Sequence, residues 1–328
     1  MRALAFCLLI ASGSSAAAED GATLARGREL TAAYLEGDTA SVFAKMEPGM
    51  QRFVRGADGF AQWSAGALAD LGEETEVLSE TVREDVGFVI YERTSRWSKA
   101  AAPWVMRWEI AADGKVAGFA IHPKEDRDPA PTRHRDYVTK TSLRLPFDGE
   151  WVVFSGGHTA EQNVHVFQSQ QRFAYDMTVA RDGRRFRGSG EKLDDFHCWG
   201  VPILAPADGT VVTAVGDVPD QAVGSMDQSS LAGNHVILDV GNGEYAVLAH
   251  LREGTVRVAA GDAVKAGDEL GRCGNSGNTT EPHLHFHLQN SPRLGEGEGL
   301  PAFFVDYVAD GRPVAQGEPV KGQIVRAR

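Results

Sequence analysis

The run Pro282-His283-Leu284-His285-Phe286-His287 places three imidazoles at alternate positions. In an extended strand successive side chains point to opposite faces, so these rings share one face. Leu284, Phe286 and Leu288 share the other and predict a core. A neutral imidazole has one N–H donor and one bare nitrogen, and a row of them on an ordinary sheet face leaves polar atoms to satisfy. A divalent ion satisfies them, and imidazole combined with carboxylate favours zinc. A catalytic zinc site needs further ligands and keeps one position open for water. Two other residues suit such a site. His250 follows the apolar strand Tyr245-Ala246-Val247-Leu248-Ala249, and Asp176 ends Phe173-Ala174-Tyr175, where a lone carboxylate among apolar neighbours demands a partner.

These residues need a sheet to hold them. From Leu143 onward the chain is short strands and glycine turns, clearest at WVVF (151–154), GTVVTAV (209–215), HVILDV (235–240) and YAVLAHL (245–251). Gly261-Asp262 and Gly267-Asp268 turn between the shorter segments Val256-Arg257-Val258, Ala263-Val264-Lys265 and Glu269-Leu270. The expectation is a β-sandwich or barrel-like domain over residues 142–328. Upstream, residues 20–72 read as helical. Asp38 is placed to N-cap a helix carrying Val42, Phe43 and Met46. Asp58 is placed to cap another, with Phe60, Trp63, Ala67, Leu68 and Leu71 as its apolar face and Gly72 as its stop. Val86 to Tyr91 and the alternating Trp104, Met106, Trp108 and Ile110 then predict strands, with Asp113-Gly114 turning into Val116 to Ile121. Helices followed by an antiparallel meander predict a small α+β domain over residues 19–123. It resembles the cystatin-like cones of some exported proteins. Residues 124–141, charged and proline-containing, read as a linker. The whole is expected to be mainly β.

The 328 residues carry 33 Lys and Arg against 45 Asp and Glu, a formal charge of -12. Such a chain repels phosphate backbones and anionic lipid, which argues against nucleic acid or membrane-surface partners. Arg2, the apolar Ala3 to Ile10 and Ala16-Ala17-Ala18 before Glu19 read as a cleavable signal peptide over residues 1–18. The apolar run is far below the ~20 residues of a membrane span. The mature chain is expected in the periplasm or outside the cell. There Cys198 and Cys273, not in a CxxC spacing, would most simply form one disulfide.

Four separate segments then carry a family resemblance. GNHVILDVGNGEYAVLAHL, VRVAAGDAVKAGDELGRCGNSGN and EPHLHFHLQ, together with the segment ending at Asp176, resemble the lysostaphin/LytM-type zinc metallopeptidases over roughly residues 145–305. The resemblance implies zinc on Asp176 and His285, with His283 and His250 lining the catalytic centre. It implies endopeptidase action on stem peptides or cross-bridges of peptidoglycan, with Gly274 to Asn278 as a groove wall. The family's first ligand stands four residues before the aspartate, and here that position is Arg172, which stays charged and does not bind zinc. His165 is the first candidate to replace it, because Asn-x-His ahead of QRFAYD resembles some relatives; His158 is second and His197 third. His287 would lie about 6.5 Å further along the strand than His285, behind the ligands. A Cys198–Cys273 bond would tie two metal-bearing segments together. The insertion Thr178 to Phe196 either lids the groove or stands clear of it. The alternative reading is a degenerate LytM-like module that binds peptidoglycan or activates a separate hydrolase.

Overall fold

The structure is a computed structural model and describes residues 13–85, 88–124 and 129–328. Most of the segment read as a signal peptide, residues 1–12, lies outside the described residues; Ala16-Ala17-Ala18 fall inside the first helix. Among the described residues no helix is long and apolar enough to cross a membrane. The chain divides into two compact units near residue 125.

The first unit has four helices, α1 (Gly13–Leu35), α2 (Thr39–Ala44), α3 (Pro48–Phe53) and α4 (Gly56–Leu71). An antiparallel sheet follows in the order β1 (Glu74–Asp85), β2 (Phe88–Trp97), β3 (Trp104–Ala111) and β4 (Val116–Pro123). Asp38 caps α2 by accepting the Ser41 N–H at 3.1 Å. Helix α4 starts at Gly56, two residues before the expected Asp58 cap, with Arg55 as its N-cap residue in a left-handed conformation (φ 62°). Gly72 (φ 78°) ends it. Met106, Trp108 and Ile110 alternate into a core with Leu30, Tyr34, Phe60 and Tyr91. Trp63 departs from the expected apolar face. It is 47% exposed, stacked on Phe60 and edge-on to Phe119, so one face of the ring is covered and the rest meets solvent. Strand β1 has no clear apolar alternation in its sequence, because it is an edge strand whose Glu74 and Glu80 pair with Arg93 of β2.

The second unit is mainly β. Its strands are β5 (Glu150–Ser155), β6 (Tyr175–Thr178), β7 (Pro202–Leu204), β8 (Gly209–Val215), β9 (Asn234–Asp239) and β10 (Tyr245–Leu251). They continue as β11 (Ala263–Val264), β12 (Glu269–Arg272), β13 (Leu284–Gln289), β14 (Gly299–Leu300), β15 (Phe304–Ala309), β16 (Arg312–Gly317) and β17 (Ile324–Ala327). One large sheet runs β11-β8-β9-β10-β13-β6-β5-β17-β15-β16, with β14 also on β13, and β7 pairs with β12 in a small second sheet. Val256 to Val258, expected as strand, is irregular. Leu284, Phe286 and Leu288 enter a core with Leu248, Val236, Tyr175 and Phe304, so the opposite face of β13 carries the histidines. The stretch read as a linker is anchored at its end. Buried Glu244 accepts hydrogen bonds from the Tyr137 hydroxyl and from the Lys140 and Thr141 N–H groups at 2.6, 2.7 and 3.0 Å.

Candidate metal centre

Strands β6 and β13 pair antiparallel, with Asp176 directly opposite His285. That register puts the carboxylate and the imidazole on the same face. Asp176 Oδ1 lies 2.9 Å from His285 Nδ1, and Asp176 Oδ2 lies 2.8 Å from His165 Nε2. The ligand atoms of His165, Asp176 and His285 all fall within 4.8 Å of one another. Asp176 and His285 are each only 5% exposed. Burial works against a charge on Asp176, but the His165 imidazole and the close polar contacts of His165 and His285 with the carboxylate outweigh it and hold the carboxyl well below its ordinary range. Burial likewise opposes charge on His165, and the facing carboxylate raises it overall. Two imidazole nitrogens and one carboxylate oxygen are the three-ligand donor set of a catalytic zinc site, so the residues present fit zinc.

His165 reaches this cluster through a short 3-10 turn, Val164–Phe167. Asn163 caps the turn: its side-chain oxygen accepts the His165 N–H at 2.9 Å. Its amide nitrogen donates to the carbonyls of Gly157, Arg172 and Ala174. Arg172 is turned away from the carboxylate and is 1% exposed. Its guanidinium donates to the Val166 carbonyl at 3.1 Å and lies over the Phe173 ring. The other two candidates stand elsewhere. His158 pairs with Glu318 at 3.1 Å, and His197 sits near Arg181 and Arg187, both outside the donor cluster.

His250 and His283 complete the group. The pairing of β9 with β10 shifts register between Leu248 and Leu251, and His250 has φ 61°. Such a bulge re-aims a side chain. The His250 ring stands 4.8 Å from that of His283 and 5.8 Å from that of His285. Its Nδ1–H donates to the Ser276 carbonyl at 2.9 Å, leaving Nε2 bare. Burial, then the neighbouring His283 and His285, hold His250 well below the ordinary histidine range, so it is neutral. His283 uses Nδ1–H on the Glu281 carbonyl at 2.9 Å, and its Nε2 lies 3.7 Å from Asp176 Oδ1. Both rings therefore offer bare Nε2 atoms beside the donor cluster.

Gly274 to Gly277 of the expected groove wall are buried, and only Asn278 of that segment is exposed. They also back the histidines. A Cβ on Gly274 would lie 2.2 Å from the Arg252 nitrogen, and one on Gly277 (φ 88°) would lie 2.5 Å from the Gly233 nitrogen. This close approach of backbones sets the Ser276 carbonyl that orients His250. The insertion after Asp176 flanks His283. Arg185 pairs with Glu281 and lies over Phe154, whose ring meets His283 edge-on at 5.3 Å. Cys198 and Cys273 are free buried thiols whose sulfurs are 2.7 Å apart. His287 and Gln289, on the same face as His285, are fully bonded in the interior. Sequence reading passed over Gln289, although it continues the every-second-residue polar pattern of β13.

Fold and cluster together define a mainly β protein with a buried histidine–carboxylate cluster that could hold a metal ion. Residues 193–296 match the family model described as Peptidase family M23. His250, His283 and His285 lie within the matched segment, while His165 and Asp176 precede it. The cell division protein DipM of Caulobacter vibrioides is 30% identical over 155 residues, covering 45% of this chain and 23% of DipM. The peptidoglycan DD-endopeptidase ShyA of Vibrio cholerae is 32% identical over 89 residues, covering 27% of this chain and 17% of ShyA. The chain thus matches less than a quarter of the length of either relative. Among solved structures, the catalytic domain of the antimicrobial peptidase lysostaphin from Staphylococcus simulans aligns at 23% identity and a TM-score of 0.27, covering 43% of this chain and 80% of that one.

Proposed function

We propose that the second unit is a zinc-dependent endopeptidase of an exported protein, hydrolysing peptide cross-bridges of peptidoglycan. The first unit is then an accessory to it. The observation that carries the reading is Asp176 held between His165 and His285 with two bare imidazole nitrogens alongside. The match to the Peptidase family M23 model and the similarity to ShyA support the substrate class.

His165, Asp176 and His285 would hold the ion. When bound, zinc polarises a carbonyl and makes water acidic near neutral pH. The other steps belong to the chain. His250 and His283 have committed their Nδ1 protons to backbone carbonyls, so each presents Nε2 as an acceptor. As water oxygen bonds to the scissile carbonyl carbon, one Nε2 takes the water proton. The same Nε2–H then delivers it to the amide nitrogen as the C–N bond breaks, releasing a carboxylate and an amine. The second imidazole, if it takes up a proton from solvent before the attack, donates that Nε2–H to the oxyanion of the tetrahedral species and keeps it as the C–N bond breaks.

The alternative of a non-cutting wall-binding module rested on the loss of a ligand at Arg172. His165, 2.8 Å from Asp176, would supply that donor, which supports the enzyme reading. The test is incubation of the zinc-loaded chain with purified peptidoglycan, with and without chelator, followed by mass analysis of released fragments. New peptide termini that vanish with chelator support the enzyme. Binding without new termini contradicts it and leaves the module.

A further inference from the structure

We propose that His287 and Gln289 are positioning residues that fix the tautomer of His285, so that its Nδ1 lone pair faces Asp176 and the ion between them. This deepens the metal reading above and rests on it. His285, His287 and Gln289 follow one another on one face of β13, opposite Ala249, Val247 and Tyr245 of β10. All three are buried, Gln289 completely. Polar side chains are costly there unless bonded, and an apolar row would pack in their place without that cost.

The bonds read in one direction only. The Gln289 amide nitrogen donates to the carbonyls of Ser291 at 2.7 Å and Arg293 at 3.1 Å, and a carbonyl can only accept. The amide is therefore oriented, and its Oε1 faces His287 Nε2 at 3.1 Å as an acceptor. A neutral His287 then carries its proton on Nε2 and presents a bare Nδ1. His285 Nε2 is 3.0 Å from that Nδ1 and must be the donor. A neutral His285 is left with a bare Nδ1 at 2.9 Å from Asp176 Oδ1, which is also an acceptor. Two lone pairs at that distance are held together by a cation: a proton on Nδ1 when the cluster is empty, and the metal ion in its place when it is loaded. Two backbone carbonyls beyond the strand end thus decide which nitrogen of His285 is offered. Outer partners of metal-bound histidines act in this way, and losing one typically weakens metal binding ~10–100-fold.

The test uses the full chain, zinc-loaded and labelled with 15N-histidine. A long-range proton–nitrogen correlation spectrum should show the proton on Nε2 in both His285 and His287. Zinc dissociation constants from chelator competition at one pH should rise about 10–100-fold in His287→Leu and in Gln289→Leu. His287→Asn, which keeps an acceptor near the Nδ1 position, should recover most of that loss. A Leu variant that misfolds leaves the spectrum of the unmutated chain to decide. His285 protonated on Nδ1 in a zinc-binding chain, or Leu variants that hold zinc as tightly as the parent, overturns the relay and leaves the proposed function standing. A parent chain that binds no zinc overturns both.

Discussion

The guanidinium of Arg172 donates to the carbonyl of Val166, 3.1 Å away and one residue beyond His165. The side chain at the position where the family resemblance implies a metal ligand thus supports the turn that presents His165, the ligand proposed in its place. Under that proposal, loss of a ligand at one point and its gain at another are parts of a single arrangement. It can form because Asn163 ties the same turn to the Arg172 carbonyl.

Arg172→Met keeps the bulk and removes the donor. The buried bond to Val166 O is charge-assisted, and such bonds contribute about 1.5–3 kcal/mol. The expected result is a lower midpoint in thermal unfolding together with weaker zinc binding in chelator competition. Unchanged values in both would detach Arg172 from the site.

His250→Ala and His283→Ala should retain zinc, because neither belongs to the His165–Asp176–His285 cluster. Each should lower kcat by roughly 10²–10⁴-fold, the range of positioned acid–base groups. Metal analysis beside turnover of a defined cross-linked peptide makes the distinction. Loss of zinc in either variant would reassign that histidine as a ligand.

The site was partly legible from residue type and period. Alternation along β13 places His285 and His287 on one face, and an isolated carboxylate after an apolar run points to Asp176. Asp38 and Gly72 were readable as helix boundaries because capping is local chemistry. What escaped depends on contacts remote in sequence. Nothing in the spacing reveals that Gly274 and Gly277 are packed against backbone, or that Glu244 captures the N–H groups of Lys140 and Thr141. Trp63 fits a helical stripe, yet the position of Phe119 on β4 leaves it half covered.

The first unit should respond to acid through Glu80. Its carboxylate accepts from Arg28 at 2.6 Å and faces Arg93 at 3.3 Å. The Arg28 hydrogen bond, opposed by partial burial and aided by Tyr91, lowers its pKa to about 2. An unfolded glutamate titrates near ~4.3. The unfolded chain binds the proton first, so the stabilisation is complete above that value and is lost as pH falls toward about 2. Glu80→Gln should flatten this part of the pH dependence of unfolding. An unchanged slope would contradict the assignment.

Cys198 and Cys273 should join in protein recovered from an oxidising compartment. Both are buried, and their sulfurs are 2.7 Å apart across 75 positions of sequence. Thiol titration of the unfolded, unreduced mature protein should find none. Reduction should then lower stability by about 2–5 kcal/mol. Two titratable thiols would show that the pair stays reduced.

Zinc stoichiometry across four single variants tests the centre most directly. The parent and His158→Ala should each bind one zinc per chain, while His165→Ala, Asp176→Ala and His285→Ala should fall well below one. Full zinc in His165→Ala, or its loss in His158→Ala, would contradict the ligand set on which the account stands.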